Sequence, residues 1–158
     1  MNDKYKKIAQ EQNSRLINQA AVLASISQPK SGWIKAVRIA LAMSGAALSR
    51  RLGAHRTTTA YLERSERDGS ITIKKMRQVA KSMHCRFVYA LVPEGGVDDS
   101  VEKIIDRQAD SIAREVVEES NTHMMLEDQQ LGRVQIEKEI ERLKKQIIDD
   151  LPKDFWED

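Results

Sequence analysis

The chain has 158 residues, 41% apolar and 32% charged, with aromatics at only 4%; this suits one ordinary domain or a small domain with helical extensions and argues against a β-sandwich or barrel with a large aromatic core. No apolar run approaches the roughly 20 residues needed to span a bilayer, and the charged start MNDKYKKIAQEQ has no apolar run behind it, unlike a secretory signal. The formal net charge of +2 conceals a division, with twelve basic and three acidic side chains in residues 33–93 against nine and nineteen in residues 94–158.

In chain order, residues from about Asp3 to Ile26 predict a helix, because Tyr5, Ile8, Leu16, Ala20 and Leu23 recur at helical spacing. SQPKSG (27–32) breaks it, since Pro and Gly disfavour continuation. WIKAVRIALAM (33–43) predicts a strongly apolar helix with Trp33, Ile34, Val37 and Leu41 along one side. Ser44 is a fitting N-cap for GAALSRRL (45–52), a two-turn helix that stops at Gly53. A second short helix is expected from about His55 to Arg64, followed by the loop ERDGS (66–70). Thr72 then caps IKKMRQVAKSM (73–83), in which Met76, Val79, Ala80 and Met83 form an apolar stripe.

The period changes at CRFVYALVP (85–93), where both alternating faces are largely apolar and the residue types favour β structure. A single strand cannot stand alone, and no other convincing strand exists in the sequence. Its expected partner is therefore the same strand of a twin chain, with Phe87, Tyr89 and Leu91 on one face. EGGVDDS (94–100) reads as a hinge. Val101, Ile104, Ile105, Ile112, Val116 and Val117 mark a helix to about Ser120. A last helix is expected from about Met125 to Asp150, where Ile136, Ile140, Leu143 and Ile147 make a short seam suited to another helix.

The stretch LSRRLGAHRTTTAYLERSERDG (48–69) cannot make a core, and its composition poses a functional question. Two short helices around a tight Gly turn, in a basic helical unit, are the signature of a helix-turn-helix. The second helix of that motif lies in the DNA major groove with its first residues toward the base edges. Leu48, Leu52 and Leu62 supply the contacts between the two helices, which frees the rest of the second helix to point outward. The expected DNA-binding residues are Gly45, Arg50, Arg56, Thr57, Thr58, Tyr61, Arg64 and Lys74. Arg bonds bidentately to guanine, and Thr offers a hydroxyl and a methyl; Arg51, Lys75 and Arg77 are further candidate phosphate ligands. The competing reading is a solvated helix face.

Residues from about 33 to 84 resemble the xenobiotic response element-type helix-turn-helix of phage repressors and many antitoxins, on the landmarks Arg38, Leu48, Leu52–Gly53, Leu62–Glu63, Ala80 and Met83. The resemblance implies a buried ion pair between Arg38 and Glu63, base-facing Arg56, Thr57 and Tyr61, and a phosphate-facing helix start at Gly45 and Ala46. Gly45 stands where the family often has Gln, and Ser65 where it usually has Gly, which leaves room for a different turn after Glu63. The whole chain is also similar to the family called mobile mystery protein A, on its N-terminal helix, YALVPEGG (89–96) and MMLEDQQL (124–131). That resemblance implies a partner gene encoding a Fic-domain protein, with this chain as the antitoxin or repressor of the pair. The Ser-to-Glu spacing of Fic-inhibiting helices is met nearest by Ser111 and Glu115, with Val116 following.

Nothing in the sequence points to catalysis or a cofactor. His84 and Cys85 have no spaced companions for a zinc site, which needs three or four ligands, and no Ser/His/Asp arrangement or nucleotide-binding Gly-rich loop is present. The lone Cys85 excludes an internal disulfide and fits a reducing cytoplasm. Phe155 and Trp156 either dock in a partner's groove or fold back on the chain's own core. Residues 107–120 serve a dimer, a partner or internal packing. The basic middle and acidic tail suit two partners of opposite character, or segments that neutralise each other.

The expected architecture is mostly α: an N-terminal helix (1–28), a lambda repressor-like helix-turn-helix domain ending in a strand that pairs across a dimer (29–95), and an acidic helical region for dimerisation or partner binding (96–158). The expected function is sequence-specific repression, as a homodimer on an inverted-repeat double-stranded DNA operator, most naturally of its own operon, by a bacterial cytoplasmic, nucleoid-associated protein. The alternative is an antitoxin that neutralises a Fic-domain toxin through the acidic region. No enzyme activity, metal, cofactor or membrane association is expected.

Overall fold

A computed structural model describes residues 3–126 and 132–157, and these residues are mostly helical. Seven α-helices are described: α1 (Asp3–Ala20), α2 (Trp33–Ala40), α3 (Gly45–Arg51), α4 (Thr58–Arg67), α5 (Ile73–Ser82), α6 (Val101–Leu126) and α7 (Arg133–Asp150). Short 3-10 turns lie at Ala21–Ser25 and Gly96–Asp98. The chain divides into two compact units, one formed by Ile26–Ala90 and the other by Met1–Ser25 together with Leu91–Asp158.

In the unit Ile26–Ala90, four short helices each contribute one or two side chains, and Met83 just after α5 one more, to a single core of Ile34, Leu48, Leu62, Met76, Val79 and Met83. Val37, Met43, Leu52, Ile71 and Phe87 pack around it. The apolar side expected for α2 is only half realised. Ile34 is buried and Val37 packs beside it, whereas Trp33 and Leu41 are 42% and 49% exposed; the helix ends at Ala40, before Leu41, and the chain turns through Ala42 at φ 51°. Ser44 and Thr72 cap α3 and α5 by accepting from the N–H groups of Ala47 and Lys75, each at 3.1 Å. Gly53, at φ 66°, gives the left-handed residue that ends α3.

Two carboxylates three residues apart on α4 hold α2. Glu63 Oε1 accepts from Arg38 Nε at 2.7 Å, while Arg38 Nη1 donates to the Met43 carbonyl at 3.0 Å. Glu66 accepts from the backbone N–H groups of Trp33 (2.6 Å) and Ile34 (2.9 Å), so it caps the positive end of α2 from another helix. The expected loop at 66–70 therefore begins later. With Ser65 buried, α4 runs on to Arg67 and turns at Gly69, where the N–H of Ser70 donates to the Ser65 carbonyl.

The expected strand at 85–93 is absent from the chain, and none of the described residues forms a β-strand. A strand exists only with a partner. The N–H and C=O groups of residues 86–92 have no hydrogen-bond partner among the described residues. Val88, Tyr89 and Leu91 are exposed, Leu91 at 92%. Phe87 is half-buried and its ring stacks on that of Tyr89 at 5.7 Å.

In the other unit α6 and α7 run antiparallel, as the ion pairs Arg114–Glu137 (3.1 Å) and Lys144–Asp106 (3.5 Å) establish. Ala113, Val117 and Ile140 form their shared core, with Ile136, Leu143 and Ile147 against it. The seam on α7 thus packs within the chain. Helix α6 passes the expected end at Ser120 and reaches Leu126; α7 starts at Arg133 rather than near Met125. Glu127–Leu131, part of the MMLEDQQL stretch, lie outside the described residues.

The N-terminal helix, expected as a separate segment, joins this unit because Asn18 caps α6. Its Oδ1 accepts from the Val101 N–H at 3.0 Å and its Nδ2 donates to Glu102 at 2.9 Å. The regular helix stops at Ala20 rather than Ile26, and Tyr5 and Leu16 of its expected apolar stripe are more than 60% exposed. The tail aromatics divide. Phe155 is buried, its carbonyl accepting from Gln108 Nε2 at 3.1 Å, while Trp156 stays exposed against the Phe155 ring edge.

Candidate nucleic-acid interface

Helix α4 has two unlike faces. Thr59, Leu62, Glu63 and Glu66 fall on one stripe at helical spacing and are all buried. Thr57, Ala60, Tyr61, Arg64 and Arg67 lie opposite and are all exposed, Tyr61 at 65%. Only Leu62 of the buried stripe is apolar, so the helix is seated by polar bonds. The Thr59 hydroxyl donates to the Gly45 carbonyl at 2.7 Å and lies 2.8 Å from Ser49 Oγ, which also accepts from the Thr59 N–H at 3.1 Å. Ser49 reaches the Arg56 carbonyl as well, at 3.3 Å. These bonds fix the start of α4 against α3 inside a buried, fully satisfied network, the condition under which buried polar groups stabilise a single arrangement.

The sequence-predicted residues fall on this surface as follows. Arg50, Arg56, Thr57, Tyr61 and Arg64 are exposed on α3, the turn and α4; Thr58 is half-buried beside them. Gly45 begins α3, and a Cβ there would make only ordinary contact with Thr59, at 3.6 Å. Lys74 is exposed on the first turn of α5. Arg51 is committed elsewhere: its Nε donates to the Ser82 carbonyl at 2.5 Å and its Nη2 lies 2.8 Å from His84 Nε2, closing the C-terminal end of α5. Arg77 lies over the Tyr89 ring, 5.7 Å from its centre.

The electrostatic character of the unit follows from where its acids point. Residues 26–90 hold thirteen Lys and Arg and three carboxylates, Glu63, Glu66 and Asp68. Glu63 and Glu66 are buried in the bonds described above, which leaves Asp68 as the one exposed carboxylate of the unit. A surface so depleted of acid carries a positive field suited to a polyanion.

Sequence reasoning missed Glu66, Thr59 and Ser49 as the residues that position this surface. The signal was present in α4 itself. A helix with a single Leu on its inner stripe must bury polar groups, and Thr59, Glu63 and Glu66 share that stripe.

Among the described residues no group of three or more His, Cys, Asp or Glu is placed to hold a metal ion, and no helix is long and apolar enough to cross a membrane. Comparison with known proteins gives no matching family model, no matching curated protein and no matching solved structure.

Proposed function

We propose that this chain is a sequence-specific DNA-binding transcriptional repressor, with α3 and α4 as a helix-turn-helix and α4 as its recognition helix. One observation carries the reading: α4 turns both its carboxylates inward and presents Thr57, Tyr61, Arg64 and Arg67 outward, on a unit whose one exposed carboxylate is Asp68. In this reading Arg56, Thr57, Thr58 and Tyr61 meet base edges, and Arg50, Arg64, Lys74 and the start of α3 at Gly45 meet phosphates. The resemblance of residues 33–84 to the xenobiotic response element-type motif agrees with these assignments.

The unpaired backbone of residues 86–92 supports a homodimer in which this segment pairs antiparallel with its twin. Both its faces are apolar, as the matching strand of a second copy would require. Two-fold symmetry then spaces the recognition helices by about 34 Å, one DNA turn, or a multiple of it, and the operator is an inverted repeat. Enrichment of random-sequence duplexes by the full chain tests the proposal, together with binding to the DNA upstream of its own gene. The expected result is an inverted-repeat motif, present upstream, with affinity that falls steeply with salt. Enrichment of no motif, with equal binding to upstream and scrambled duplexes, overturns it.

A second reading, an antitoxin acting on a Fic-domain toxin, draws on the exposure of Ser111 and Glu115 on α6. Copurification with the product of the neighbouring gene separates the two.

A further inference from the structure

The turn that enters α4 holds a histidine whose ring touches a proposed base-reading side chain. His55 Nδ1 lies 2.9 Å from Thr57 Oγ1, and the backbone N–H of Thr57 points at the same nitrogen at 3.4 Å. The His55 carbonyl accepts from the Thr58 N–H at 2.9 Å. A backbone N–H only donates, so Nδ1 is an acceptor here and the ring carries its proton on Nε2. The Thr57 hydroxyl, facing the same lone pair, donates its proton inward and offers only its lone pairs to the exterior.

We propose that His55 is a specificity-determining residue of the DNA contact, because its protonation state sets whether the exposed Thr57 hydroxyl accepts or donates at a base edge. This inference rests on the DNA-binding reading above. With His55 neutral, Thr57 accepts, and so favours the amino groups of adenine and cytosine. When Nδ1 gains a proton it becomes the donor to Thr57 Oγ1. The hydroxyl proton then swings outward and favours guanine O6 or N7 and thymine O4. The same step withdraws the acceptor from the Thr57 N–H and places a positive charge at the start of α4.

Histidine is the side chain whose charge changes between about pH 5 and pH 8. The charged groups of the two helices that the turn joins are accounted for. Arg50, Arg56 and Arg64 are exposed cations, Arg51 is tied to Ser82 and His84, and Glu63 and Glu66 are bound to Arg38 and the start of α2. No free carboxylate on α3 or α4 competes with Thr57 for the ring proton.

The test is selection of random-sequence duplexes by the full chain at about pH 5.5 and about pH 8, repeated with His55→Asn and Thr57→Val. Asn keeps an accepting oxygen near Nδ1 at every pH. The expected result for the native chain is one column per half-site whose preference moves between amino-bearing and carbonyl-bearing bases, by about two- to tenfold, the range of one net hydrogen bond. The shift should vanish in both variants. A motif that is identical at both pH values, or a shift that persists in His55→Asn, overturns the role of His55 while leaving the DNA-binding reading intact. Absence of any motif overturns that reading and this one with it. Long-range 1H–15N spectra of the DNA-free chain at about pH 8 provide an independent check: a proton on Nδ1 instead of Nε2 overturns the inference whatever the DNA result.

Discussion

A Cβ placed on Gly32 would sit 2.7 Å from Oε2 of Glu66, so any side chain at residue 32 would force the carboxylate that caps α2 to shift. Gly32 also has φ 85°, which L side chains rarely adopt. Gly32→Ala is therefore expected to strain the backbone and to push Glu66 off the N–H groups of Trp33 and Ile34. The expected loss is about 2–3 kcal/mol, combining left-handed strain with a lost buried cap. Urea unfolding of the variant checks this. A midpoint unchanged from that of the native chain would show that the cap contributes nothing.

Glu63→Ala leaves Arg38 charged and mostly enclosed, with only the Met43 carbonyl to bond. The expected cost is roughly 3 kcal/mol, the low end for breaking a buried ion pair, seen as a lower thermal midpoint without DNA. Arg38→Met together with Glu63→Met should recover much of the loss, since no unpaired charge then remains. A midpoint as low in the double variant as in Glu63→Ala would contradict this account.

Arg56 stands exposed in the turn before α4. In the proposed function it reads guanine, and Arg56→Ala should cost about 1–3 kcal/mol on the operator and much less on scrambled DNA at fixed salt. Equal losses on both would make it a phosphate ligand.

Residues 89 and 90 make no backbone hydrogen bonds with any of the described residues. Proline at either position therefore removes no backbone hydrogen bond from the protomer, and Ala90→Pro also spares the Tyr89 ring that stacks on Phe87 and lies under Arg77. In an antiparallel pair alternate N–H groups face the partner, so one of Tyr89→Pro and Ala90→Pro removes a bond from the twin. That variant should sediment as a monomer and lose tight operator binding, with its helical content intact. Two dimeric variants would move dimerisation to another surface.

Asp99 gives the second unit an acid-sensitive contact. The Arg107 guanidinium, bonded to both carboxylate oxygens at 3.0 and 2.9 Å, and then the Ser100 N–H hold the Asp99 carboxyl down from 3.8 to about 2. The folded value is the lower one, so this contact stabilises fully above the unfolded value of 3.8 and loses its effect as pH falls toward 2. The native chain should melt above Asp99→Asn at about pH 6, and the two should converge as the pH is lowered through this window. A constant difference at all pH values would assign the effect to packing.

The sequence by itself determined the local features whose causes lie within a few residues. Ser44 and Thr72 cap helices because a hydroxyl reaches an N–H three residues on. Gly53 ends α3 because it tolerates the left-handed turn, and the seam from Ile136 to Ile147 forms because four-three spacing lines one helix face. Tertiary structure decided what depends on partners distant in the chain. Asn18 joins the N-terminal helix to α6 across 83 residues, and Glu66 caps α2 across 32 and 33. The same pairing decided that Glu66 faces inward beside Glu63, whose bond to Arg38 the family resemblance implies, so that the exposed face of α4 is basic. Burial of an ionised side chain depends on the partner that compensates it, and no short stretch of sequence contains both.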